Sequence, residues 1–364
     1  MSSFVARRKR LRALVEKAEA DALLVTNFKN VTYLTGFTGD DSYLLVTLDG
    51  EKLITDMRYT TQLADECPGL PLAVRKPGET MSKFVAKIME REKIRRLGIE
   101  GQSATVSLER SLAKALPNSK LVATEGLVEK LRIIKDKSEI QATRLACRQA
   151  RRAFEVVCRK LSRKMTEADI AAELEYQARL CGAKSLSFPA IVAVGERAAL
   201  PHARPSQRRL ADGEFVLVDW GVNSGLYMSD LTRIIVTGKI SPKLRKVYGV
   251  VLKAQLAAIN AIHPGVTCEQ VDRVARQIIT KAGWGKHFGH GLGHGTGLDI
   301  HEAPRLSKGQ QTKLQPGMIV TVEPGVYFPG WGGVRIEDDI LVTRTGHEVL
   351  TDVPKQLGEC ALAS

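Results

Sequence analysis

The chain has no apolar run near the ~20 residues that crossing a bilayer requires, so no membrane-spanning helix is expected. Met1-Ser2-Ser3-Phe4-Val5 leads directly into basic residues, with no apolar signal-peptide core, and the expected location is the cytoplasm. Cysteine is sparse and unpaired in pattern. Cys67, Cys147, Cys158, Cys181, Cys268 and Cys360 include no C-x-x-C, which argues for reduced thiols and against a cysteine zinc site or a disulfide frame. Aromatics are only 5% of the 364 residues, too few for a base-stacking surface. Acidic residues are outnumbered 40 to 54, leaving a formal charge of +14. Such a charge suits polyanions, yet the basic residues are spread along the chain. Their densest cluster, Arg7-Arg8-Lys9-Arg10 with Arg12, is threaded by Leu11, Leu14, Val15 and Ala18 at helical spacing. It reads as the solvated face of an amphipathic helix, and neither a nucleic acid nor a membrane is an expected partner.

What is present is enough for two buried cores: 44% apolar and 26% charged residues over a length that suits two domains. Residues 1–130 alternate helix and strand. An opening helix runs into D-A-L-L-V-T (21–26), and two strands flank the hairpin signal Asp49-Gly50. Further strands are expected at 71–75, 96–100 and 120–124, with helices near 80–93 and 106–115. The texture changes at L-R-I-I-K-D-K-S-E-I (131–140). From Ser138 a helical pattern runs to about Leu161, and Thr166 opens a second helix that ends near Gly182. After strands over 184–239, Ser241-Pro242 and the capping box Thr267…Gln270 start two more. Helices thus bracket strand-rich segments twice, which predicts a degenerate internal duplication over 135–364.

Each strand-rich segment delivers two carboxylates about a hairpin apart. F-V-L-V-D-W-G (215–221) is an apolar strand holding Asp219, and L-Y-M-S-D-L-T-R returns with Asp230. M-I-V-T-V-E-P-G (318–325) ends in Glu323, and G-V-R-I-E-D-D-I (333–340) reads as one strand containing Glu337, with Arg335 on the same face. A carboxylate buried in such strands costs several kcal/mol unless it is paired. The plain alternatives are a capped turn or a buried salt bridge to Arg233 for the first pair and a charged strand edge for the second.

Four of the seven histidines, His287, His290, His294 and His301, lie in the segment H-F-G-H-G-L-G-H-G-T-G-L-D-I-H. The interleaved glycines do not sustain a helix, and Gly291 replaces the glutamate of an H-E-x-x-H zinc motif. A glycine loop in close approach to a ligand, running into a strand Leu298-Asp299-Ile300-His301, is the better reading. Asp219, Asp230, His294, Glu323 and Glu337 form an oxygen-rich donor set. Four carboxylates and an imidazole at one point repel unless cations hold them, so hydrolysis assisted by two metal ions is the leading chemistry.

In order and spacing these motifs resemble the pita-bread metallopeptidases, the family of Xaa-Pro aminopeptidases and prolidases. The resemblance spans nearly the whole chain. It implies an α+β fold: an α/β creatinase-like N-terminal domain (1–130), then a pita-bread catalytic domain (135–364). The latter would be pseudo-twofold, with a curved antiparallel sheet and flanking helices. It also implies that the five donors hold two divalent ions, with Asp230 and Glu337 shared between them. Mn2+ is expected first, with Co2+ or Zn2+ as alternatives. By the same resemblance Glu323 doubles as a proton shuttle, His202 (in L-P-H-A) and His301 (in D-I-H-E) are catalytic, and His290 and Arg335 contact substrate. The implied reaction cleaves a peptide or dipeptide between its N-terminal residue and a following proline, in a homodimer. Ala203, Gln207 and Ile234 stand where relatives carry glycine, aspartate and threonine, departures that bear on substrate fit. Two rival readings are a methionine-aminopeptidase-like exopeptidase and a non-catalytic pita-bread protein that binds polyanions.

Overall fold

The computed structural model describes residues 3–358, so Cys360 lies outside the described residues. The chain divides into two compact units between Arg132 and Ile133.

The first unit contains α1 (Ser3–Lys17), β1 (Ala22–Val25), α2 (Phe28–Thr35), β2 (Tyr43–Thr47), β3 (Glu51–Thr55), α3 (Thr60–Glu66), β4 (Leu72–Val74), α4 (Met81–Arg91), β5 (Arg96–Glu100), α5 (Val106–Ala115), β6 (Lys120–Thr124) and α6 (Leu127–Arg132). Its six-stranded sheet has the order β4-β3-β2-β1-β5-β6. Asp49-Gly50 closes the antiparallel β2–β3 pair as the turn chemistry predicts. One expectation fails here. Arg7 and Arg8 do not belong to a solvated face: both are buried, and they donate to the carbonyls of Tyr33 and Leu34 at 2.8 and 2.7 Å. The last carbonyls of α2 have no partners within the helix, and a guanidinium reaching them satisfies what propensity cannot supply. Arg12 and Arg8 both pair with Glu51.

The second unit opens with α7 (Lys137–Lys160), capped by Asp136 in a capping box with Glu139, and α8 (Glu167–Leu180). Strands β7 (Ser185–Leu186), β8 (Ile191–Val194), β9 (Phe215–Trp220), β10 (Val222–Ser224), β11 (Tyr227–Met228) and β12 (Leu231–Val236) follow. Helices α9 (Pro242–Asn260) and α10 (Cys268–Lys281) then precede β13 (Gly293–Gly295), β14 (Glu302–Leu306), β15 (Ile319–Val322), β16 (Gly325–Phe328), β17 (Gly332–Arg335), β18 (Asp338–Val342) and β19 (His347–Val349).

The predicted duplication is visible in matching details. Thr166 and Thr267 each cap a helix with a capping box, and each forms an isolated antiparallel bridge, to Arg209 and to Lys313. Sheet β12-β9-β8 in one half answers β14-β13-β15-β18-β19 in the other. This is the α+β pita-bread arrangement, with antiparallel strands backed by helices. Trp220 stacks on Phe154 of α7 at 4.1 Å, an aromatic contact of about 1 kcal/mol beyond its burial, and so fixes the end of β9 against the helix.

The carboxylate-bearing strands are shorter than the sequence suggests. Residues 333–340 form two strands, not one: β17 pairs with β16 and β18 with β15, and the break falls at Ile336-Glu337. The first half breaks likewise at Ser229-Asp230, between β11 and β12. At each break the chain changes sheets, which leaves a carboxylate free of ladder constraints.

Candidate metal centre

Asp219 sits one residue before the end of β9, directly across the ladder from Thr232. Asp230 lies in the break before β12, with its backbone N–H donating to Asp339 Oδ2 at 2.9 Å. Glu323 follows β15, and Glu337 lies in the second break. Donor atoms of Asp230, His294 and Glu337 all fall within 4.8 Å of one another. His294 Nε2 is 3.6 Å from Asp230 Oδ2 and 3.5 Å from Glu323 Oε1. Asp219 turns one oxygen to Arg335 Nη2 at 2.5 Å, while its Oδ1 is buried without a hydrogen-bond partner. The alternative salt bridge to Arg233 does not form: that guanidinium, fully buried, pairs with Asp338 at 2.7 Å.

The electrostatics of this cluster are unfavourable without cations. Burial, then the neighbouring carboxylates, pushes Asp230 and Glu337 well above the usual carboxylate range. Burial raises Glu323 to about 7. Asp219 is raised by burial too, against the opposing pull of Arg335. Burial depresses His294 to about 3, so its ring is neutral. Its Nδ1 lies 3.0 Å from the Gly295 carbonyl, which can only accept, so Nδ1 carries the proton and Nε2 presents a lone pair to the carboxylates. A neutral imidazole, a partnerless carboxylate oxygen and crowded carboxylates are the donor chemistry that divalent cations satisfy.

Two glycines make this geometry possible. A Cβ on Gly293 would lie 2.1 Å from the Thr321 carbonyl, and one on Gly295 would lie 2.3 Å from that of Ala303. Their absent side chains let β13 approach its neighbouring strands, and Gly293 with Gly289 and Gly291 also lines the cavity that holds the donors. The expected strand 298–301 is also absent: the strand begins at Glu302. The Glu302 carboxylate accepts the N–H groups of Leu298 and Asp299, which curls that segment into a turn.

The five donors line a cavity of about 850 Å³, together with His202, His290, His301 and Arg335. All nine residues singled out in the sequence therefore meet at one place. His301 sits edge-on to His294 with ring centroids 4.4 Å apart, and burial lowers its pKa. Burial lowers His290 to about 4; its Nε2 lies 3.1 Å from the Tyr327 hydroxyl, which accepts from Arg335 Nη1 at 2.7 Å. Tyr327, Thr232 and Asp339 went unremarked in the sequence. Pairing of Gly325 with Arg335 puts Tyr327 on the arginine's face, a signal that appears only once the β16–β17 register is known.

Residues 141–344 match metallopeptidase family M24, and residues 7–134 match the creatinase/prolidase N-terminal domain. A solved structure of an Xaa-Pro dipeptidase from Bacillus anthracis is similar at a TM-score of 0.94 and 40% identity, covering 98% of this chain and 99% of that one. The X-Pro aminopeptidase structure from Thermotoga maritima is similar at 0.86 and 34% identity, over 93% and 99% of the two chains. The Xaa-Pro dipeptidase of Pyrococcus horikoshii is 35% identical over 351 residues, 96% of this chain and 97% of that protein.

Proposed function

From the premise that this chain belongs to metallopeptidase family M24, we propose that it is a metal-dependent exopeptidase acting on Xaa-Pro bonds. It removes an N-terminal residue from a following proline, in dipeptides and short peptides. The observation that carries the reading is the convergence of His294 Nε2 with Asp230 and Glu323, at 3.6 and 3.5 Å, in one cavity with Asp219 and Glu337. Asp219, Asp230, His294, Glu323 and Glu337 would hold two divalent ions, Asp230 and Glu337 being shared, with Mn2+ the first choice for a carboxylate-dominated set. Bound ions would neutralise the cluster and bring the pKa of a held water to about 7.

The chain's own residues then have separate tasks. Glu323 takes up and returns a proton at its carboxylate. His301 and His202 face the scissile carbonyl oxygen and stabilise its developing charge. His290, held by the Tyr327 hydroxyl, contacts substrate, and Arg335 fixes Asp219 while bordering the same cavity. Capture of the substrate's free α-amino group by the acidic cluster supports exopeptidase action. The relatives are called both dipeptidase and aminopeptidase, and dipeptides fit the more similar of them. A cytoplasmic homodimer completes the proposal; no helix among the described residues is long and apolar enough to cross a membrane.

Neither rival is favoured. A creatinase/prolidase N-terminal domain precedes the catalytic unit, unlike the methionine aminopeptidases, and the donor set is intact, unlike a silent binding module. The deciding experiment assays Ala-Pro, Ala-Pro-Ala and Met-Ala-Ser with added Mn2+, using the wild type and Glu337→Ala. Cleavage of the proline substrates by the wild type alone is expected. Full activity in Glu337→Ala, or cleavage of Met-Ala-Ser alone, sinks the reading.

A further inference from the structure

Glu167 is a fully buried carboxylate outside the donor set, and all its side-chain bonds go to one loop. It accepts from Val194 N at 2.7 Å, Arg197 Nε at 3.0 Å, Ser206 N at 2.8 Å and Ser206 Oγ at 2.6 Å. Val194 ends β8, and Ser206 closes the excursion that carries Pro201-His202-Ala203-Arg204. One side chain therefore pins both feet of the loop that holds His202. A strut crosses the loop: Arg197, held by Glu167, donates through Nη2 to the Arg204 carbonyl at 2.7 Å, two residues beyond His202.

Helix α8 does not need this carboxylate. Its N-terminal N–H groups are already satisfied by the capping box of Thr166 and Asp169 and by the Arg208 and Ser206 carbonyls, which accept from the backbone of Glu167 and Ala168 at 2.9 and 3.1 Å. Burying a charge with no helix to cap is costly unless the acceptors are filled, and here loop donors fill them. His202 itself is exposed on the cavity wall. The backbone around it is held instead: Arg335 Nη2 donates to the Pro201 carbonyl at 3.4 Å, and Glu167 ties down the two ends of the loop.

We propose that Glu167 is a positioning residue that acts through the loop 194–206 to hold His202 at the reacting carbonyl. This rests on the reading that His202 serves Xaa-Pro hydrolysis. Glu167 touches no substrate; it sets where the imidazole waits, and small misplacements of such groups are expensive in rate.

The test is a double-mutant cycle on the full chain with added Mn2+ and Ala-Pro, using Glu167→Gln, His202→Ala and the pair, with amide hydrogen exchange alongside. Glu167→Gln should lower kcat roughly 10- to 100-fold with little change in KM. In the His202→Ala background the same change should cost less than about 3-fold, because the residue through which it acts is gone. Exchange should quicken across 195–206 and stay unchanged across 319–342. Arg197→Ala keeps Glu167 and its bonds to Val194 and Ser206 but removes the strut together with the guanidinium paired to the carboxylate; it should show a loss with the same non-additivity, and it stands in if Glu167→Gln fails to fold. Additive losses in both cycles, or an unchanged kcat, overturn the proposal. If the wild type cleaves no Xaa-Pro peptide, the functional reading fails by itself. The exchange comparison then decides alone, and unaltered protection of 195–206 overturns the brace.

Discussion

The Thr232 hydroxyl donates to Glu337 Oε2 at 2.6 Å, joining a residue of the first carboxylate hairpin to a carboxylate of the second. Thr232 Oγ1 itself accepts from Arg335 Nε at 3.1 Å, and Thr232 stands opposite Asp219 in the β9–β12 ladder. One buried hydroxyl thus registers two halves of the duplication that share no local sequence. It orients a proposed metal ligand through a hydrogen bond, and partners of this kind govern affinity almost as strongly as the ligands do.

Thr232→Val keeps the shape and removes the hydroxyl. Glu337 and Arg335 Nε, both buried, each lose a partner. A loss of about 10-fold or more in Mn2+ affinity is expected, with a destabilisation of about 1–3 kcal/mol. Calorimetric titration of the metal-free protein with Mn2+ measures the first, and chemical denaturation the second. Wild-type affinity in the variant would show that Glu337 needs no such support.

Metal removal should destabilise the catalytic unit. Without cations, burial and mutual repulsion hold Asp230 and Glu337 far above their normal range, so the metal-free site carries an electrostatic penalty. Ions that bind only the folded state add about 2.7 kcal/mol at one hundred times their dissociation constant. Thermal unfolding with a chelator and then with Mn2+ should show a rise in Tm on addition, and binding should release protons into a weakly buffered solution. A Tm indifferent to chelator and Mn2+ would contradict a cation-holding cluster.

Much of this site was legible because its signals are local. The N-cap at Thr166, the capping box at Thr267, the Asp49-Gly50 turn and the carboxylates in apolar strands each declare themselves within a few residues. What escaped depends on partners far along the chain. Thr232 matters through Glu337 and Arg335, 105 and 103 positions away, and Tyr327 through the β16–β17 register that sets it on the face of Arg335. The strand breaks at Ser229-Asp230 and Ile336-Glu337 were invisible, since residues on both sides have strand composition and only the change of pairing partner divides them. Arg7 and Arg8 were misread for the same reason: their acceptors belong to another helix.

Gly293→Ala tests whether the glycines serve strand approach. The added methyl would meet the Thr321 carbonyl at 2.1 Å, a distance no rotamer relieves, because both atoms belong to the backbone frame. The backbone N–H of adjacent His294 donates to Thr321 Oγ1 at 3.0 Å, so β13 cannot shift without moving the imidazole. The variant should lose about 1–3 kcal/mol of stability or more and bind Mn2+ poorly. Gly289→Ala is the control, since a Cβ there meets nothing within 4 Å. Similar metal binding by both variants would leave ligand approach, and not strand approach, as the reason for the glycines.

The basic cluster of α1 divides into two kinds of residue, and paired substitutions separate them. Arg8 is buried, donates to the Leu34 carbonyl at 2.7 Å and pairs through Nε with Glu51 at 2.9 Å. Its removal leaves a helix-terminal carbonyl and a partly buried carboxylate short of a charged donor. Arg8→Ala should therefore cost about 1.5–3 kcal/mol, the range for hydrogen bonds to charged groups. Lys9 points to solvent, and Lys9→Ala should stay within about 0.5 kcal/mol. Both changes lower the net charge by one, so a polyanion-binding arm would respond alike to either. Urea denaturation read against salt-dependent retention on an anionic resin separates the two effects. Equal stability losses from Arg8→Ala and Lys9→Ala would restore the amphipathic-face reading, because only a uniformly solvated cluster treats its members as interchangeable.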